Sequence, residues 1–174
     1  MNEKQITVLG VGNILFTDEG VGIRVVEALD EWYEFSPNVS LIDGGVLGLN
    51  LLASISGADY LIVVDAVRKG QEPGSIYRLK GEDLPKRIVG KSSLHQVDLL
   101  EILTLCQALE KAPETVILGV EPEDIETVGL ELTSPVQQKL ALLVDRVMEE
   151  LEGLGVVYRP RRSCGGKGPS RTAP

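Results

Sequence analysis

The segment from Ile6 to Glu27 constrains the fold most, because it joins a buried strand to a helix through a short glycine turn. Its β-branched run Ile6–Leu9 ends at Gly10, which is typical of a β-strand. Beyond the turn, apolar residues recur at spacings of three and four and so fall on one helix face: Val21, Val25, Leu29 and Trp32. A strand followed at once by an amphipathic helix is the repeating unit of an α/β sheet.

The same alternation of strand and helix patterns continues along the chain. Further strands are predicted at 39–42, 60–64, 75–79 and 115–120, and helices at 93–109 and 134–151. The uninterrupted run YLIVV at Tyr60–Val64 is typical of a strand covered on both faces, whereas 75–79 alternates like a half-exposed edge strand. We therefore predict an α/β fold, a single-domain open twisted sheet of about five strands with helices packed on both faces.

Length and composition fit one domain with a real core. A chain of 174 residues that is 43% hydrophobic can bury about 70% of its unfolded surface. We assign residues 1–155 to the α/β domain and residues 156–174 to a basic, glycine- and proline-rich tail that we predict to be disordered. No apolar run approaches the roughly 20 residues of a membrane span, and the polar start MNEKQ is no signal peptide, so we expect a cytoplasmic protein without membrane insertion.

Charge and cysteine content exclude several kinds of function. The formal net charge is -9, and residues 1–158 carry 12 basic against 26 acidic residues, because five basic and no acidic residues lie from Arg159 onward. So acidic a body repels nucleic acid, whose binding depends on cationic contacts to phosphate. Cys106 and Cys164 form neither a disulfide framework nor a zinc motif, and neither has a nearby histidine to activate its thiol.

Carboxylates follow the predicted strands at the ends where an open α/β sheet binds its ligands. They are Asp18, Glu19, Asp43, Asp65 and Glu121. His95, the only histidine, falls in the first turn of a predicted helix, where the helix dipole favours the neutral imidazole. One imidazole with two or three carboxylates suits a divalent transition metal. The alternative is a set of ordinary helix caps, with Thr17 or Asp18 capping the first helix, and a histidine at the edge of the core.

The glycines of the first turn also suggest a dinucleotide-binding fold. Gly10 and Gly12 match the first two glycines of the motif G-x-G-x-x-G, but Leu15 occupies the third position. That third glycine allows helix and strand to pack closely, and a leucine does not. The sequence therefore disfavours a nucleotide cofactor.

Five blocks of sequence together resemble the maturation endopeptidases of nickel–iron hydrogenases. They are GVGNILFTDEGVG from Gly10, DGGVLGLNLL from Asp43, IVVDAV from Ile62, SLHQVDLL from Ser93 and GVEPEDIETVGLELTSPV from Gly119. The resemblance implies an α/β endopeptidase that removes a C-terminal extension from the hydrogenase large-subunit precursor once nickel has been inserted. The basic tail lies outside the resemblance.

Position by position, the resemblance implies that Glu19, Asp65 and His95 bind metal, and that this metal is the nickel of the precursor itself. Bound nickel would assist hydrolysis, and either Asp18 or Asp43 would transfer the proton. The glycines of 44–48 are expected to seat the extended precursor tail through backbone hydrogen bonds. The rival hypothesis is a non-catalytic nickel-binding chaperone for hydrogenase assembly, which would use the same ligands without cleaving a peptide bond.

Overall fold

The computed structural model describes residues 3–45, 51–81 and 94–161, with the backbone alone for 94–98 and 100. Its strands are β1 (Ile6–Val11), β2 (Tyr33–Phe35), β3 (Val39–Gly45), β4 (Tyr60–Ala66), β5 (Ile76–Lys80), β6 (Glu114–Val120) and β7 (Tyr158–Pro160). Its helices are α1 (Val21–Trp32), α2 (Leu52–Ser56), α3 (Leu94–Ala108), α4 (Ser134–Gln137) and α5 (Leu140–Gly153). A short 3-10 turn, Thr17–Gly20, precedes α1.

Five strands form one sheet in the order β3-β1-β4-β6-β5. The first four in this order run parallel, and β5 pairs antiparallel with β6 at the edge. The predicted five-stranded α/β sheet and the edge position of the fourth predicted strand are thus confirmed. The parallel strands end together, at Val11, Gly45, Ala66 and Val120, along what we call the carboxyl edge.

Helices cover the sheet on both faces, as predicted. One face packs on α1 and α5, and its core contains Val8 of β1 and Ile62 of β4. The other packs on α3, and its core contains Leu9 of β1 with Leu61 and Val63 of β4. Every residue of β1 and β4 is buried, which explains why their sequences are continuous apolar runs rather than alternating ones. Among the described helices, none is long and apolar enough to cross a bilayer.

A two-stranded ribbon of β2 and β7 lies outside the sequence prediction. The rings of Tyr33 and Tyr158 pack edge to face with centroids 5.5 Å apart, and Arg159 forms two hydrogen bonds with the Glu34 carboxylate. The predicted domain boundary at residue 155 is therefore too early, because 158–160 are part of the fold. Residues 162–174 lie outside the described residues, and their disorder stays a prediction.

Candidate active site

Two glycines let the turn after β1 and the start of α1 pack backbone against backbone. A Cβ on Gly12, whose φ is +134°, would lie 1.7 Å from the carbonyl oxygen of Glu19. A Cβ on Gly22 would lie 2.2 Å from the carbonyl oxygen of Val64. Real side chains do not approach backbone so closely, so both positions require glycine. A Cβ on Gly10 would likewise lie 2.3 Å from the carbonyl oxygen of Gly22, so both glycines of the partial dinucleotide motif, Gly10 and Gly12, have a structural reason in the protein's own turn.

The same packing fixes the approach of the Glu19 segment to Asp65. Gly22 follows Glu19 by three residues and lies against Val64, the residue before Asp65. The 3-10 turn that carries Glu19 contacts β4 directly. Asp65 is buried, with 4% of its surface exposed, and Glu19 is half-buried. Two of the three predicted metal-binding residues therefore lie on segments in contact at the carboxyl edge.

Strand alternation also places Asp65 on the face of the sheet that α3 covers. Leu61 and Val63 belong to the core under α3, and Asp65 continues that alternation in β4. Leu99 of α3 packs in the same core, and the His95 position precedes it by one helical turn on the same side of the helix. The backbone geometry is therefore compatible with a set of Glu19, Asp65 and His95.

The side chain of His95 lies outside the described residues, so the complete set stays a prediction. Among the side chains that are described, no group of three His, Cys, Asp or Glu residues could hold a metal ion. Most of the predicted precursor-binding glycine segment, residues 46–48, also lies outside the described range.

Asp43 lies at the end of β3, two strands away from Asp65. Asp43 pairs with Gly10 of β1, and on the other side of β1 Gly10 pairs with Val64 of β4. The backbones of β3 and β4 are therefore roughly 10 Å apart at this point. Asp43 is exposed, and its Oδ1 accepts a hydrogen bond of 2.9 Å from the Gly45 amide. The Asp43 carboxylate is therefore accessible to solvent at the carboxyl edge.

Asp18 has the opposite surroundings, since none of its surface is exposed. Its Oδ2 accepts hydrogen bonds from the backbone amides of Glu123 and Asp124, at 2.9 and 3.1 Å. Its Oδ1 accepts one from the Thr133 amide at 2.7 Å, and the Thr133 hydroxyl lies 2.8 Å from Oδ2. The Asp18 carboxylate thus joins the 3-10 turn to both ends of the 123–133 loop.

The predicted cap at the start of α1 is therefore wrong. The N-terminal residues of the 3-10 turn and of α1 make no side-chain capping bond, and the Thr17 hydroxyl donates instead to the Asp124 carbonyl at 2.5 Å. The sequence reasoning also missed Thr133, the hydroxyl partner of Asp18. The two residues are 115 positions apart, so no local pattern could have connected them.

Glu121 is a second buried carboxylate that holds a loop. It accepts hydrogen bonds from the amides of Lys69 and Gly70 and from the Tyr77 hydroxyl. Burial and this bond to Glu121 raise the pKa of Tyr77 well above its ordinary value. The sequence placed Glu121 among the possible ligands, but its described contacts all serve the 67–77 region. Cys106 is buried, and burial raises the pKa of its thiol, which disfavours the reactive thiolate.

Comparison with known proteins identifies what this chain is similar to. Residues 23–150 match the family model described as hydrogenase maturation protease. The hydrogenase 2 maturation protease of Escherichia coli is 37% identical over 161 residues, which cover 91% of this chain and 98% of that protein. The hydrogenase expression/formation protein HupD of Thiocapsa roseopersicina is 37% identical over 162 residues, covering 92% of this chain and 73% of that protein.

A solved structure extends the likeness to the fold. The hydrogenase maturating endopeptidase HybD from E. coli superposes with a TM-score of 0.86 at 37% identity, and the match covers 90% of this chain and 98% of that one.

Proposed function

Because the chain belongs to the hydrogenase maturation protease family and is an endopeptidase of hydrogenase maturation, we propose that it removes a C-terminal extension from a large-subunit precursor after nickel insertion. The proposal includes recognition of the nickel held by the precursor and a cytoplasmic site of action. The observation that carries it is the packing of Gly22 on Val64, which fixes the Glu19 segment beside Asp65 at the carboxyl edge.

The side chains Glu19, Asp65 and His95 are the proposed nickel ligands. Two carboxylates and one imidazole form a mixed oxygen and nitrogen set that suits a divalent transition metal and leaves positions for substrate. Nickel bound there supplies Lewis-acid assistance to peptide hydrolysis. The ligands orient the precursor, because they bind the metal that the precursor itself carries.

Asp43 is the proposed proton-transfer group, in preference to Asp18. A general acid or base must reach the reacting group directly or through one water molecule. Asp43 is exposed at the carboxyl edge, whereas Asp18 is fully buried and its two oxygens accept bonds from the 123–133 loop. This difference in accessibility supports Asp43 over Asp18, two candidates that the sequence left equal.

The chaperone alternative has less support than the protease. The family model is described as a protease, and similar proteins with solved structures are described as endopeptidases. Nickel binding without cleavage remains the result that would favour it.

The test is intact-mass analysis of a nickel-loaded or nickel-free large-subunit precursor after incubation with this protein. We expect loss of the C-terminal extension from the nickel-loaded form alone. Glu19→Gln, Asp65→Asn and His95→Ala should each abolish cleavage, whereas Glu31→Gln, the same chemical change on the exposed side of α1, should leave it unchanged. Cleavage by the three variants at the wild-type rate would refute the ligand set. Tight binding of free nickel with no cleavage of any precursor would favour the chaperone.

A further inference from the structure

Three exposed apolar side chains lie together beside the candidate active site. Leu15, Val128 and Leu130 are 53%, 76% and 57% exposed, and we call them the Leu15 patch. They flank Phe16 and Gly129, which form a parallel bridge between the turn after β1 and the 123–133 loop. The other large apolar side chains found exposed among the described residues are Leu105, Leu109 and Val157, which lie on α3, just after it and just before β7.

The backbone under the Leu15 patch is held firmly. Thr17 donates to the Gly129 carbonyl at 2.8 Å, and Gly129 donates to the Leu15 carbonyl at 2.9 Å. The Arg24 guanidinium donates to the Leu130 carbonyl at 3.1 Å, and the Asp18 carboxylate holds the loop at both ends. The backbone of the patch is therefore preformed and need not be ordered when a partner binds, which lowers the entropy cost of binding.

The charges around the patch indicate the character of the partner. Its two segments, 12–23 and 121–138, contain no lysine or arginine, and the two arginines beside them are each paired with a glutamate: Arg24, which also bonds the Leu130 carbonyl, with Glu27, and Arg68 with Glu126. Exposed acids in the second segment include Glu123, Glu126 and Glu131. An acidic rim favours a partner whose own contact surface is apolar with a basic border. A second copy of this chain would bring the same acids against them, and an anionic membrane or nucleic acid would be repelled.

The hydrogen bonds of the patch also favour a folded partner over an extended peptide. A peptide that adds as a strand is recognised through free backbone groups. Here the carbonyls of Leu15, Gly129 and Leu130 already accept bonds from within the protein. What the patch presents is side chains, which suit a preformed apolar surface.

We propose that the Leu15 patch docks the folded body of the large-subunit precursor through an apolar surface bordered by basic side chains. This inference rests on the proposed function, since the precursor must approach the carboxyl edge for its extension to be cut. Docking beside the 3-10 turn that carries Glu19 would bring the body of the precursor next to the proposed nickel ligands.

The test measures the Kd for the nickel-loaded precursor together with its cleavage. The patch variant carries Leu15→Ser, Val128→Ser and Leu130→Ser. The matched control carries the same change at the other three exposed sites, Leu105→Ser, Leu109→Ser and Val157→Ser. We expect the patch variant to bind at least tenfold more weakly and to cleave with a raised KM and a kcat within twofold of wild type. The control should stay within twofold in both.

If the patch variant and the control bind the precursor with equal affinity, the inference is overturned. The proposed function still stands in that case, provided that the wild type cleaves the precursor. A fall in kcat at unchanged KM would also overturn it, since a docking surface acts on binding. A wild type that neither binds nor cleaves the precursor would refute the proposed function and this inference together. Thermal unfolding of both variants confirms that each is folded.

A second arm tests the charge of the partner. Glu131→Lys should weaken binding at least threefold relative to Glu3→Lys, an exposed acid that precedes β1. Wild-type affinity should also fall as salt is raised, because screening weakens attraction between opposite charges. Binding by Glu131→Lys as tight as that of Glu3→Lys would contradict a basic border on the partner.

Discussion

Asp18 and Asp43 lie at the same edge of the sheet and look alike in sequence, but their surroundings differ completely. Asp18 is fully buried and accepts hydrogen bonds from Glu123, Asp124 and Thr133. Asp43 is exposed and accepts a hydrogen bond from Gly45, two residues along its own strand. A position at a strand end brings a carboxylate to the carboxyl edge, while burial and the supply of donors decide whether it can take part in chemistry.

The largest expected effect comes from Asp43→Asn. If Asp43 transfers the proton, cleavage of the nickel-loaded precursor should slow by about 10²–10⁴-fold. The free energy of unfolding should change by no more than about 0.5 kcal/mol, because the side chain is exposed. Single-turnover cleavage and urea unfolding measure the two quantities. Normal cleavage by Asp43→Asn would return the proton-transfer role to Asp18.

Asp18→Asn, the same chemical change, should act on stability instead. In the wild type both Asp18 oxygens accept bonds from backbone amides. In the variant one of these oxygens is replaced by an NH2 group, which cannot accept a bond and faces other donors. The free energy of unfolding should therefore fall by about 3 kcal/mol. Urea unfolding measures this loss directly. In the folded protein at low temperature, the cleavage rate should fall less than in Asp43→Asn. An unchanged stability with abolished cleavage would show that Asp18 takes part in chemistry.

Thr133→Val tests the Asp18 contact with a smaller change. The valine is nearly isosteric and removes the hydroxyl donor, while the Thr133 amide still donates to Oδ1 of Asp18. We expect a loss of about 1.5 kcal/mol in urea unfolding, as is usual for a bond to a charged acceptor. Thr115→Val, a buried threonine whose hydroxyl bonds the nearby Pro113 carbonyl, provides the control and should lose less.

Tyr77→Phe should have the smallest effect, about 1 kcal/mol near pH 8, because Glu121 keeps its bonds from the amides of Lys69 and Gly70. The pKa of Tyr77 is raised in the folded protein, so the unfolded chain loses the phenol proton first as the pH rises past its ordinary value of 10.0. The wild type should therefore lose more stability above about pH 10 than Tyr77→Phe does.

Urea unfolding at pH 8 and pH 10.5 should show the stability difference between wild type and Tyr77→Phe narrowing. A constant difference would mean that the phenol has no raised pKa. Glu121 would then hold the 67–77 region through its two backbone amide bonds alone.

The sequence predicted the sheet well because strand signals are local. The continuous run at Tyr60–Val64 and the alternation at 75–79 each report the burial of their own segment. It could not predict the β2–β7 ribbon, since Tyr33–Phe35 simply continues the pattern of α1 and its partner lies more than a hundred residues later.

The same limit applied to the candidate site. The carboxylates and His95 were found from the rule that strand ends form the ligand crevice, which needs no knowledge of distant contacts. The capping prediction was wrong because both side chains bond the 123–133 loop instead: the Thr17 hydroxyl donates to the Asp124 carbonyl, and the Asp18 carboxylate accepts from loop amides. Only the folded structure brings those donors within reach.

The β2–β7 ribbon has a practical consequence for handling this protein. It follows the C-terminal end of α1, and α1 runs back from the carboxyl edge, so the ribbon lies toward the opposite end of the sheet. The strand β1 also begins at that end, with Gln5 bonded to Asp59 just before β4. The described residues therefore begin, at Glu3, and end, at Arg161, on the side away from Glu19 and Asp65, and a surface tether attached through the ribbon would leave the carboxyl edge facing the solution.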